Sequence, residues 1–119
     1  MPKMKKILVV TILLLINSLA SEEFLKGLED IPLYKSMTHV ENSLVMFDKI
    51  NGRFVSTEIT GPYKYEEVSN FYNKILPNLG WKITNNNLFE RGTESLRLEF
   101  KTTKKKLTVV FSIFPKKSE

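Results

Sequence analysis

Cysteine is absent from this chain of 119 residues, and histidine occurs once, at His39. Without cysteine there is no disulfide framework, no thiol nucleophile and no N-terminal cysteine to carry a lipid. A single histidine removes zinc sites built from histidine and cysteine ligands. A Ser-His-Asp triad would have to use His39, and its surroundings, THVENS, hold no nucleophile elbow. His39 is therefore expected in a solvated or turn position. Glycine is sparse, with five in the chain and no cluster that could cradle a phosphate. The adjacent acids Glu22/Glu23, Glu29/Asp30 and Glu66/Glu67 could be imagined as catalytic pairs, but neighbours on a helix point in different directions. No catalytic residue, cofactor or metal ligand is nominated. No Asn-x-Ser/Thr glycosylation acceptor occurs either.

What the chain does have begins at its start. MPKMKK carries three lysines, Ile7 to Ile16 is an apolar run, and Ser18 and Ala20 are small residues at a cleavage site before Ser21. A charged start, short apolar core and small-residue exit describe a secretory signal peptide over residues 1–20. The alternative is an uncleaved inner-membrane anchor, but a spanning helix needs ~20 apolar residues. Here Asn17, Ser18, Glu22 and Glu23 arrive too early. An exported chain without cysteine suits a bacterial periplasm, and a signal peptide also permits release toward a host cell. Loss of Lys3, Lys5 and Lys6 lowers the net charge from +5 to +2. The remaining basicity sits at the C-terminal end, in Lys101 to Lys106 and in Lys116 and Lys117. That distribution is not one of a nucleic-acid binder.

Along the rest of the chain, residues 21–42 read as an N-terminal arm with a short helix stopped by Pro32. Residues 43–115 read as a single α+β domain and 116–119 as a basic tail. Ser43 to Lys49 and Arg53 to Thr60 are β-prone runs flanking Asn51-Gly52, a strong hairpin signal. From about Tyr65 to Leu79, Val68, Phe71, Tyr72, Ile75, Leu76 and Leu79 form one apolar stripe at helical period. Glu66 and Glu67 suit its first turn, and Pro77 and Gly80 suit its end. Trp81 to Thr84, Leu88 to Arg91, Ser95 to Lys101 and Leu107 to Phe114 follow as strands. In the last two, Leu96, Leu98, Phe100, Leu107, Val109, Phe111 and Ile113 alternate onto one face. The expected fold is α+β: an antiparallel sheet of an N-terminal hairpin plus a C-terminal meander, one main amphipathic helix packed on one face, and a signal helix in front.

Val110, Phe114 and Phe54 fall on the sheet face away from that helix, which makes them a candidate partner face unless the arm residues Phe24, Leu25, Leu28 and Leu33 cover it. Lys104, Lys105 and Lys106 are a candidate contact for an anionic surface such as lipid headgroups, and otherwise a solvated hairpin turn. With Lys116 and Lys117 they make one contiguous patch if the tail folds back. A pocket between helix and sheet, using Tyr72, Tyr63 or His39, is the alternative site for a small ligand or an enzyme.

The pattern FY-x3-LP-x-LGW from Phe71 to Trp81, with EDIPLY before it and LF-x-R-x4-LRLEF after it, resembles a group of small exported alphaproteobacterial, rickettsial-type proteins of unknown function. The resemblance runs from Leu28 to Phe114 and carries no activity with it. The helix-to-strand junction is also similar to those of envelope lipoproteins with small α+β domains, which implies an accessory or assembly role; the missing lipid-bearing cysteine departs from them. The expected function is that of a non-enzymatic binding or accessory module of the cell envelope. Its partner is expected to be an envelope protein or an anionic lipid surface, with no cofactor, no nucleic acid and no oligomeric state indicated.

Overall fold

A computed structural model describes residues 23–117; the expected signal helix over residues 1–20 lies outside them. The order is β1 (Phe24–Leu25), β2 (Leu28–Pro32), β3 (Thr38–His39), β4 (Val45–Lys49), β5 (Gly52–Gly61), α1 (Tyr65–Asn78), β6 (Lys82–Asn85), β7 (Leu88–Arg91), β8 (Glu94–Thr103) and β9 (Lys106–Pro115). One antiparallel sheet runs β3-β5-β9-β8-β7-β6, with β4 also on β5. β3 pairs with Thr60 and Ile59, and β4 pairs with residues 52–56, so the two lie end to end along one edge of β5. The hairpin and the meander are thereby joined into one sheet through β5 and β9.

The alternation read from the sequence sets the covered face. Val55, Thr57 and Ile59 of β5 stand opposite Ile113, Phe111 and Val109 of β9, which stand opposite Leu96, Leu98 and Phe100 of β8. All but the partly buried Phe100 are buried. Val68, Tyr72 and Leu76 of α1 lie on them in a single hydrophobic cluster. The helix starts without a Ser, Thr, Asp or Asn cap; Glu67 Oε1 instead accepts the Lys64 N–H at 3.0 Å, the carboxylate half of a capping box. It ends in a Schellman motif. Trp81 N–H donates to Leu76 O at 3.1 Å, Gly80 N–H donates to Pro77 O at 3.1 Å, and Gly80 takes φ +92°. The Leu76 and Trp81 side chains, both fully buried, make the apolar contact that accompanies this ending. Pro77 is tolerated because it falls in the last turn of the helix.

Three expectations are corrected. The stretch expected to hold a short helix is a β-hairpin, because Lys26 and Gly27 turn the chain at Gly27 φ +81° and pair Leu25 with Leu28. The β4–β5 turn is Ile50-Asn51, with Gly52 already paired to Lys49, one residue earlier than the Asn-Gly signal indicates. The N-terminal segment does not cover the second sheet face. Leu25, Leu28, Ile31, Leu33, Tyr34 and Met37 join the same cluster as the helix, and a Cβ on Gly27 would meet the side chains of Leu44 and Val55. Arg91 holds the segment from the far side, donating to Asp30 Oδ2 at 2.8 Å and to Leu79 O, a helix-end carbonyl, at 2.9 Å. Hairpin and helix therefore share one face, and among the described residues no element lies on the other.

Candidate functional site

The face left open is built by the residues that alternate with the core. Across the sheet, Phe47 pairs with Phe54; Phe54 is one step beyond the Val55–Ile113 pair and so stands beside Phe114. Phe114 pairs with Ser95, and Ser95 with Glu90. The next row is Val45, Ser56, Ser112, Arg97 and Leu88. Beyond it Val110 stands between Glu58 and Glu99, and Thr108 between Thr60 and Lys101. Phe47 and Phe54 stack with ring centroids 5.0 Å apart, and the Arg97 guanidinium sits 5.2 Å from the Phe114 ring. Arg97 is exposed and takes part in none of the ion pairs among the described residues. A guanidinium resting on an aromatic face keeps its edge donors available for a carboxylate or phosphate.

The chain end deepens this face into a cleft. Lys116 N–H donates to Thr93 O at 2.7 Å, and Lys116 Nζ pairs with Glu90 at 3.2 Å, so the tail stands beside the β7–β8 turn. The cleft measures about 800 Å³ and is floored by Leu88, Ser95, Arg97 and Phe114, with Lys116 and Lys117 at its rim. Three cations against the one carboxylate of Glu90, itself paired, give it a positive balance. Among the described residues no group of three or more acidic, histidine or cysteine side chains could hold a metal ion.

Of the candidate partner face, Phe54 and Phe114 are half-buried on the open side and Val110 is buried, at 9% exposure. Phe114 and Phe54 stand side by side; Val110 lies two rows away between two carboxylates. Sequence reasoning missed Phe47 and Arg97. Phe47 is found once the hairpin register is known, and Arg97 by its outward position in β8 directly beside Ser112, diagonal to Phe114.

Lys104, Lys105 and Lys106 lie at the β8–β9 turn and are exposed; Lys104 and Lys105 take φ +48° and +65°. The contiguous patch with Lys116 and Lys117 does not form. β9 separates the two groups by its ten residues, about 30 Å at strand rise, and Lys116 is engaged by Glu90.

Tyr72, Tyr63 and His39 do not converge on a pocket; each anchors the N-terminal segment. Tyr72 Oη accepts the Tyr34 N–H at 3.1 Å and donates to Pro32 O at 2.9 Å, and burial raises its pKa far above the ordinary tyrosine value. Tyr63 Oη lies 2.8 Å from Ser36 Oγ. His39 Nε2 accepts the Lys26 N–H at 3.0 Å, and burial, then the Lys26 charge, lower its pKa, while Glu23 opposes them. Between helix and sheet the space is filled by Tyr72, Leu76, Phe111 and Trp81, none more than 1% exposed. Among the described residues no helix is long and apolar enough to cross a membrane. Comparison with known proteins returns no matching family model, no matching curated protein and no matching solved structure.

Proposed function

We propose that this protein is an exported, non-catalytic binding module of the bacterial cell envelope, whose open sheet face receives an acidic segment of a partner protein. The observation that supports the reading most is Arg97. It is exposed, stacked on Phe114 and without a carboxylate partner among the described residues, beside a cleft rimmed by Lys116 and Lys117. A carboxylate entering there meets a planar two-donor fork and an apolar floor, the combination that gives both orientation and desolvation. Periplasmic placement rests on the N-terminal sequence of residues 1–20, and the rickettsial-type resemblance agrees with it.

Affinity capture from native envelope extract tests the reading. Wild-type protein is expected to retain a specific acidic partner, and Arg97→Ala with Phe114→Ala to lose it while keeping the same melting temperature within a few degrees. Retention of the same partners by the double variant contradicts it.

A second contact has its own support. The exposed Lys104–Lys106 turn stands at the far end of β9 from the cleft, so it can rest on anionic headgroups, at about 1 kcal/mol per basic residue, while the cleft holds a protein. Vesicles containing anionic lipid should bind the protein at low salt and release it at high salt. Alanine at all three lysines should remove that binding. Equal binding by wild type and triple variant contradicts the contact.

A further inference from the structure

The two long edges of the main sheet are built differently. β6, at one edge, is four residues long, begins with Lys82, continues into Thr84 and Asn85, and carries a register irregularity between Ile83 and Asn85. Short, charged and irregular edges are the usual means of preventing strand addition. β4, at the other edge, is only one residue longer, but its register on β5 is unbroken and its two charges, Asp48 and Lys49, stand at one end. Leu44, Val45, Met46, Phe47 and Ile50 are each at least 40% exposed, and they account for most of the exposed large apolar side chains of the described residues. They fall within seven consecutive positions. Such an edge, left open, is a template for another strand.

We infer that β4 pairs antiparallel with β4 of a second copy of this chain, about a two-fold axis at Phe47. The register follows from self-complementarity. With Phe47 opposite the second copy's Phe47, Val45 faces Lys49, Met46 faces Asp48 and Leu44 faces Ile50 across the axis. Every exposed apolar residue of the edge then enters the interface, and no charge meets its like. An axis at Asp48 or Lys49 sets two like charges directly opposite each other, and an axis at Met46 leaves Ile50 outside the contact. Backbone geometry agrees. Lys49 and Gly52 close a two-residue turn, so ladder alternation turns the amide and carbonyl of Met46 and Asp48 away from β5 and toward the newcomer. The chain limits the pairing at its other end, where Ser43 N–H bonds to Val40 O at 3.2 Å and Asn42 takes φ +61°, bending the edge before β3.

The pairing has two consequences. The assembly closes, because a two-fold contact consumes both β4 edges and, among the described residues, leaves outside only the two-residue β3 and the protected β6 of each copy. It also extends the open face: Phe114, Phe54 and Phe47 of one copy continue into Phe47, Phe54 and Phe114 of the other, with an Arg97 cleft at each end. The inference stands apart from the binding proposal, since the clefts lie on β7 to β9 and β4 contributes nothing to them.

The absence of cysteine makes a direct test available. In the full chain, Phe47→Cys places two thiols across the axis at a non-hydrogen-bonded pair, where Cα atoms are about 4.5 Å apart and within disulfide reach. Mild oxidation should convert most of the protein to a cross-linked dimer, whereas Leu44→Cys and Ile50→Cys, each opposite the other residue, should give little alone and should cross-link when mixed. Sedimentation of the unmodified protein should move from monomer to dimer with rising concentration, and Phe47→Glu should hold it at monomer with an unchanged circular dichroism spectrum. A monomer at every concentration overturns the inference. So does equal cross-linking at Phe47 and Leu44, or a Phe47→Glu variant that still dimerises. Loss of dimer with partner capture intact would strike this inference alone, and loss of capture in a protein that still dimerises would strike only the binding proposal.

Discussion

Thr57 and Tyr72 show opposite treatments of a hydroxyl in the same core. Thr57 is 1% exposed and its Oγ1 has no partner among the described residues. A buried hydroxyl without a hydrogen bond costs free energy that an isosteric methyl does not. Thr57→Val should therefore raise stability by about 1 kcal/mol, read as a higher urea midpoint with an unchanged slope. Tyr72 is as buried, but its hydroxyl both accepts from Tyr34 and donates to Pro32. Tyr72→Phe strands a backbone N–H and a carbonyl, so it should cost about 1–3 kcal/mol in the same assay. The sequence placed Tyr72 on the helix's apolar stripe correctly. It could not show that the hydroxyl is spent inside, because the residues that bond it lie about forty positions away, beyond the reach of a local pattern.

Among the elements, α1 was readable almost completely, start, stripe and stop, because each of its determinants is local. The Pro77 and Gly80 signals and the Trp81 that follows them are parts of one Schellman ending. The β8–β9 hairpin was readable for a similar reason, since the alternation of Leu96, Leu98 and Phe100 in β8 and of Leu107, Val109, Phe111 and Ile113 in β9 assigns each strand its inward face. Residues 24–32 were not. Phe24, Leu25 and Leu28 fit one edge of a helix as well as they fit a hairpin, and the decision rests on Gly27 and on contacts with β5 and α1.

One of those contacts is titratable. His39 on β3 accepts the N–H of Lys26 in the turn between β1 and β2, which only the neutral imidazole can do through Nε2. Its pKa is lowered in the folded protein from an ordinary 6.5, by burial first and by Lys26 second. The unfolded chain then binds the proton more readily, so stability falls as pH drops below that ordinary value and is fully present above it. Urea midpoints measured between about pH 5 and 7 should show this decline. His39→Gln should flatten the part of the profile due to this group, and a variant with the wild-type slope would remove His39 as its source.

At the level of the molecule, the described residues that cover the sheet all lie on one side of it. The helix, the N-terminal hairpin and the segment through Met37 share the core with the inward faces of β5, β8 and β9. Alternation alone identified the two faces of β5, β8 and β9, but placing Phe47 needed the hairpin register, and whether the second face was covered depended on where the N-terminal segment packs. The asymmetry should be measurable in stability. Phe111 is fully buried and Phe114, three residues on, is half-buried on the open side. Phe111→Ala should cost about 3–5 kcal/mol, and Phe114→Ala about 1 kcal/mol or less.

Site-specific photo-crosslinking in cells that make the protein decides whether a partner docks on the open face. A photoreactive phenylalanine analogue at Phe114 should trap a discrete envelope partner, and the same group at Asn73, exposed on the helix side, should trap none. Adducts from Asn73 with none from Phe114 would contradict docking on this face.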